Sequence, residues 1–167
     1  MARKLSIMDS GWLMMETRET PMHVGGLALF AVPEDAPSDY MESVYRYMVE
    51  VDGVCRPFSQ KIQSRLPGRL DAAWVDDKNF DIDYHVRHSA LPRPGRVREL
   101  LALVSRLHAQ RLDPSRPLWE SYLIEGLEGN RFALYTKMHH SMVDGMAGMH
   151  LMQSRMASSA DERFFFF

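Results

Sequence analysis

Residues 117–145 read PLWESYLIEGLEGNRFALYTKMHHSMVDG, two strand-like runs around a turn, closed by paired histidines. The turn is Glu128-Gly129-Asn130, and the runs PLWESYLIEG and RFALYTKMHH on either side of it predict a β-hairpin. In the second strand Phe132, Leu134, Thr136, Met138 and His140 share one face, and Ala133, Tyr135, Lys137 and His139 share the other. The first face is the more apolar, so the alternation turns His140 inward and leaves His139 beside Lys137. Ser141 to Asp144 then fits a capping box, with Asp144 reaching back at the start of a helix that enters a methionine-rich segment. Gly145 leaves room there for a second group to approach closely.

Upstream, Asp9 or Ser10 is placed to cap a short helix carrying Trp12, Leu13 and Glu16, which Pro21 ends. MHVGGLALFAV reads as a strand whose Gly25-Gly26 allows a bulge or a close approach. PEDAP is a loop, and from Ser38 the spacing of Met41, Val44, Met48 and Val51 predicts a helix. KIQSRL, LDAAWV and FDIDYHVRHSAL read as short extended pieces, separated by Pro67-Gly68 and Asp76-Asp77. After Pro94-Gly95 a longer helix carries Val97, Leu100, Leu101, Val104, Leu107, His108 and Leu112 on one face, with His108 as a satisfied core or boundary histidine. Strands and helices alternate without a regular βαβ repeat. The expected class is α/β, with a mixed, largely antiparallel sheet and flanking helices.

The chain has 167 residues, 46% hydrophobic and 25% charged, which suits one globular domain with a real core. A net charge of -2 offers no basic face for nucleic acid. The single cysteine, Cys55, excludes an internal disulfide framework and fits a reducing compartment; no motif frames it as a nucleophile. No run of eighteen apolar residues exists to span a membrane, and the N-terminus lacks the features of a signal peptide. Thirteen methionines suit either gap-filling in a core or a surface that adapts to apolar partners.

His139, His140 and Asp144 invite three chemical readings. A metal site is disfavoured because adjacent strand residues point to opposite faces, and neither HExxH nor paired CxxC is present. A serine hydrolase would need a GxSxG elbow, which is absent. A histidine fixed at a strand end by a rigid turn makes a general base, because its ordinary pKa lies near neutrality.

HHSMVDG also matches the HHxxxDG motif of the CoA-dependent acyltransferase superfamily, which includes chloramphenicol acetyltransferase and peptide-synthetase condensation domains. PMHVGGLALF, LPRPGRVRELL, PLWESYLIEGLEGNRFALY and GMAGMHLM, in that order, resemble bacterial wax ester synthase/diacylglycerol acyltransferases. The resemblance runs from about Ser6 to about Met156.

It implies a chloramphenicol-acetyltransferase-like N-terminal lobe over residues 1–157, a tail over residues 158–167 with no assigned function, and a C-terminal lobe absent from this chain. The implied reaction moves a fatty acyl group from acyl-CoA to a long-chain alcohol, giving a wax ester, or to diacylglycerol, giving triacylglycerol. His140 would be the general base. His139, Asp144 and Gly145 would support the motif, and Pro117, Leu118 and Trp119 would shape the acyl tunnel, with core packing as the other reading of Trp119. No cofactor is expected, acyl-CoA entering as substrate. The expected location is cytoplasmic, with peripheral contact to the inner membrane or lipid droplets left open. The rival readings are a non-catalytic lipid-binding or lipid-droplet module and another HHxxxDG enzyme such as a condensation domain.

Overall fold

The strand that ends in the paired histidines, β7 (Arg131–His139), lies inside a four-stranded sheet of order β2-β7-β6-β5. The computed structural model describes residues 3–50, 54–64 and 71–142. β2 (His23–Ala31) runs antiparallel to β7 with His23 opposite His139 and Ala31 opposite Arg131. β6 (Trp119–Leu127) forms the expected hairpin with β7, broken by an irregularity between Ile124 and Leu127. β5 (Val86–Ala90) pairs parallel to β6, and α4 (Val97–Ala109) makes the crossover between them. One parallel pair in an otherwise antiparallel sheet gives the mixed architecture that the sequence predicts.

A second, three-stranded sheet of order β1-β4-β3 is wholly antiparallel. It is built from β1 (Arg3–Lys4), β3 (Gln60–Gln63) and β4 (Ala73–Asp76). Two cores result. The larger joins the sheets through Phe58, Trp74, Val86, Trp119, Leu123 and Met138, with Leu13 of α1 (Ile7–Met15) and Met48 of α2 (Tyr40–Val49) packed in. The smaller lies under α4 and holds Leu100, Tyr122, Ile124, Ala133 and Tyr135. Each fully buried large side chain of this kind contributes about 1.5–3 kcal/mol relative to exposure.

Several local expectations are corrected. The cap of α1 is Ser6, whose hydroxyl accepts from the Asp9 N–H while the Asp9 carboxylate receives the Ser6 N–H; Asp9 is therefore the third helical residue and Glu16 the C-cap. The FDIDYH piece begins as a helical turn, α3 (Ile82–His85), because the Asp81 side chain caps it by accepting from the Asp83 N–H. On α4 the inward stripe is Leu100, Leu103, Val104 and Leu107, whereas Val97 and Leu101 face solvent at 40% and 52% exposure. His108 is satisfied, with Nδ1 2.7 Å from the Tyr135 hydroxyl, but stands exposed at the end of the helix and not in the core. Val51, Pro67-Gly68, the helix expected after Ser141 and the tail at 158–167 lie outside the described residues.

Two glycines explain close contacts that the sequence left general. Gly25 produces no bulge; a Cβ there would stand 2.8 Å from the Tyr135 hydroxyl and 3.1 Å from His108 Nδ1. Gly95 has φ 71°, and a Cβ would sit 1.8 Å from the Gly126 carbonyl, so only glycine lets the approach to α4 lie against the hairpin.

Candidate active site

Both faces of β7 are covered, and this decides how the two histidines differ. On the α4 face Lys137 is fully buried, with Nζ donating to the Leu107 and Gln110 carbonyls at 3.0 and 2.8 Å and lying 3.2 Å from Glu120. A cation at a helix C-terminus satisfies carbonyls that have no partner within the helix. Burial pushes the Lys137 ammonium below its ordinary pKa, and the Glu120 carboxylate opposes that shift. The face assigned to polar residues is therefore the drier one.

His139 follows Lys137 inward and is only 1% exposed, whereas His140 sits half-buried on the turn after the strand. The alternation is as expected, but the direction inferred from apolarity is reversed, because α4 and its capping lysine seal the Lys137 face. His139 Nδ1 accepts the backbone N–H of Ser141 at 3.1 Å and lies 2.8 Å from its hydroxyl. With Nδ1 accepting, the neutral ring carries its proton on Nε2, which faces Glu16 Oε1 at 3.8 Å.

Glu16 ties several chain segments to this point. Its carboxylate pairs with Arg111 at 2.7 Å and accepts the Met22 N–H at 3.4 Å. Burial raises its pKa, but the Arg111 bond, the electrostatic pull of the His139 ring and the Met22 N–H outweigh that and hold it below the usual glutamate value. Met22 in turn accepts the backbone N–H of His140 at 2.8 Å, and Leu118 accepts that of His139 at 2.9 Å. The start of β2, the PLW segment and the C-cap of α1 thus converge on the two histidines.

The His140 ring lies flat against Trp12 of α1, with centroids 4.4 Å apart and planes 18° from parallel. Stacking fixes the imidazole plane but leaves its nitrogens, which lie on the ring edge, open. Among the described residues no side chain bonds to them. A histidine held in plane, half-exposed and with an open ring edge is equipped to take a proton from an approaching hydroxyl. His139 and His140 are turned to different neighbours and do not form a joint ligand pair.

Of the remaining residues singled out from the sequence, Pro117, Leu118 and Trp119 are buried at the start of β6. Trp119 donates Nε1–H to the Phe58 carbonyl at 2.8 Å and stacks on His85 at 4.6 Å, in the core. Asp144 and Gly145 lie outside the described residues, as does the Asp144 half of the capping box; Ser141 turns its hydroxyl to His139. Sequence reasoning missed the roles of Trp12, Glu16, Met22 and Arg111. Nothing in the spacing joins Glu16 to Arg111, and for Trp12 and Glu16 only their placement on a short helix was foreseen.

Comparison with known proteins decides the family. Residues 5–165 match the wax ester synthase/diacylglycerol acyltransferase catalytic domain. The chain belongs to this family. It is 47% identical over 155 residues to a protein named a probable diacylglycerol O-acyltransferase in Mycobacterium tuberculosis, covering 92% of this chain and 34% of that one. It is 42% identical over 162 residues to O-acyltransferase WSD of Acinetobacter baylyi, covering 96% of this chain and 34% of the relative. The solved wax ester synthase/diacylglycerol acyltransferase of Marinobacter aquaeolei superposes with TM-score 0.89 at 43% identity, over 98% of this chain and 39% of that structure. A condensation domain of the calcium-dependent antibiotic synthetase shares the fold at TM-score 0.66 and 19% identity, over 90% of this chain and 36% of that one. The chain thus spans about a third of the length of its wax ester synthase/diacylglycerol acyltransferase relatives. Among the described residues no helix is long and apolar enough to cross a membrane.

Proposed function

We propose that this sequence is the histidine-bearing lobe of an O-acyltransferase that moves a fatty acyl group from acyl-CoA to a long-chain alcohol or to diacylglycerol. The observation that carries the reading is the His140 imidazole, stacked on Trp12 with its ring edge open, within a chain of this family. His140 takes the acceptor hydroxyl proton as the oxygen attacks the thioester carbonyl. It then returns that proton to the CoA sulfur as the C–S bond breaks, leaving ester, free thiol and neutral histidine. No acyl-enzyme is required. His139 acts behind it as a support, held through Ser141 and Glu16. Asp144 and Gly145 support the motif by the family resemblance alone, and a second lobe completes the substrate site. The protein works in the cytoplasm, at the periphery of the membrane or of lipid droplets, where its apolar acceptors reside.

The test is release of CoA thiol from palmitoyl-CoA, with and without hexadecanol or diacylglycerol, by a family-length enzyme carrying this sequence and by its His140→Ala variant. Acceptor-dependent release that falls about 10²–10⁴-fold in the variant is expected. Equal rates in the two proteins would refute the role of His140, and lipid binding without any CoA release would favour a non-catalytic lipid module. Transfer only from a carrier-bound donor would point to condensation chemistry.

A further inference from the structure

α1 meets both motif histidines through one side. Trp12 and, at the C-cap, Glu16 stand four residues apart, which places them one turn from each other on the same side of the helix. Trp12 lies flat on the His140 ring, while Glu16 faces His139 Nε2 at 3.8 Å and is tied to Arg111 at 2.7 Å. The Ser6–Asp9 capping box holds the other end of the helix, and Leu13 anchors it in the core. The indole is therefore presented to His140 by a helix braced at three points.

From this we infer that Trp12 is a positioning residue for the base: its indole face orients the His140 imidazole and stabilises the positive charge that the ring bears between its two proton transfers. The inference rests on the acyl-transfer reading and adds to it a residue that acts through His140. When the acceptor O–H proton moves to the imidazole, the ring becomes a cation until the CoA sulfur takes the proton back. An aromatic face attracts a cation within about 6 Å of its centroid, and indole does so most strongly. At 4.4 Å and 18° from parallel, the His140 ring meets that condition. Both rings are half-buried, which limits screening by water. The charged and titratable groups on the surrounding elements are directed elsewhere. Asp9 of α1 receives the Ser6 N–H, and Glu16 holds Arg111. His23 of β2 sits on the His108 carbonyl, Lys137 of β7 on helix-end carbonyls, and His139 on Ser141. Among the described residues the indole face is thus the group that answers a charge on His140.

The test uses a family-length enzyme carrying this sequence, with Trp12→Phe, Trp12→Leu, and mono-, di- and trifluorotryptophan placed at position 12. Fluorine nearly keeps the shape of the ring while withdrawing charge from its face, so packing stays and the attraction for a cation weakens. One readout is the pH profile of kcat/KM for CoA release from palmitoyl-CoA with hexadecanol. The other, taken without substrate, is the pH titration of the labelled histidine resonance that disappears in His140→Gln. Losing the face disfavours the imidazolium, so in Trp12→Leu the acid limb and the resonance midpoint should both move down by about 0.5 pH unit. Trp12→Phe should move them less, and the fluorinated rings should follow the order of fluorine number. In Trp12→Leu kcat should drop about tenfold, with KM within about twofold of the parent. Lower rates with the acid limb unmoved and no fluorine order are what a merely structural contact predicts, and that result overturns the inference. Acceptor-dependent CoA release by the parent, with a fixed midpoint across the series, overturns the role of Trp12 and spares the acyl-transfer reading. A graded midpoint without CoA release supports the hold of the indole on the imidazolium and removes the reaction.

Discussion

Glu16 and Arg111 stand 95 residues apart in the chain and 2.7 Å apart in space. The pair closes α1 against the segment that follows α4, and its Glu16 end faces His139. The Glu16 side chain is 6% exposed and that of Arg111 38%, so removing the arginine strands a buried carboxylate. Arg111→Ala should cost about 1–3 kcal/mol in urea unfolding, less than a fully buried pair because the arginine is partly solvated. Glu16→Gln leaves one acceptor oxygen where Oε2 takes Arg111 and Oε1 takes the Met22 N–H, so one donor loses its partner and a comparable loss of about 1–3 kcal/mol is expected. A loss well below that of Arg111→Ala would show that the tie does not need both carboxylate oxygens.

His23 lies opposite His139 and sits 2.7 Å from the His108 carbonyl through Nε2. Burial lowers its pKa, the bond to His108 offsets part of this, and the Lys137 charge lowers it further. The unfolded chain takes up this proton at about 6.5, whereas the folded chain resists until lower pH. Unfolding therefore binds protons in that window, and the contribution of His23 is full above pH 6.5 and lost as pH falls through its folded value. His85, also lowered by burial, acts in the same direction. The unfolding free energy from urea titrations should decline from pH 7.5 to 5.5 by at most about 1.4 kcal/mol per pH unit for each histidine. His23→Gln should remove its share of the slope and leave that of His85.

Short-range chemistry made much of this fold legible. Alternation and the Gly129-Asn130 turn located β6 and β7, and both turn residues take positive φ, 75° and 53°. Turn chemistry was read less well where side-chain caps compete: Ser6 starts α1 ahead of the expected cap at Asp9 or Ser10, and Asp81 starts a helical turn in a stretch read as extended. The orientation of the histidines was not legible, because apolarity ranks faces only when one of them meets water. On β7 neither does, and the lysine that made one face look polar is itself buried against a helix end. The HHxxxDG spacing drew attention to His139 and His140 as candidates. The stacking of Trp12 and the Glu16–Arg111 tie depend on tertiary contacts that no periodicity encodes.

Trp119 separates two roles proposed for the PLW segment. Its ring is fully buried, its indole N–H is held by Phe58, and its neighbour Leu118 accepts the His139 N–H. Trp119→Phe removes the donor to a buried carbonyl and leaves a void, so a loss of about 2–4 kcal/mol is expected in denaturant titration. A core role predicts lower stability with an unchanged order of preference among acyl-chain lengths. A tunnel-shaping role predicts a shift in that preference, measured as kcat/KM across acyl-CoA substrates.

The two histidines should respond to alanine in opposite ways. His139 is sealed, bonded to Ser141 and faced by Glu16, so its loss opens a cavity and leaves a buried carboxylate with one fewer neighbour. His139→Ala should lower stability by about 1–3 kcal/mol, and activity in a family-length enzyme should fall with the folded fraction. His140 touches the protein through the Trp12 stack and a backbone bond to Met22 that alanine retains. His140→Ala should leave the thermal midpoint within a few degrees of the parent while acyl transfer falls about 10²–10⁴-fold. Thermal scans and CoA release on the same preparations make the comparison. If His139→Ala were the stable, inactive protein instead, the proton would have to pass through the buried ring, and the assignment of the base would move to His139.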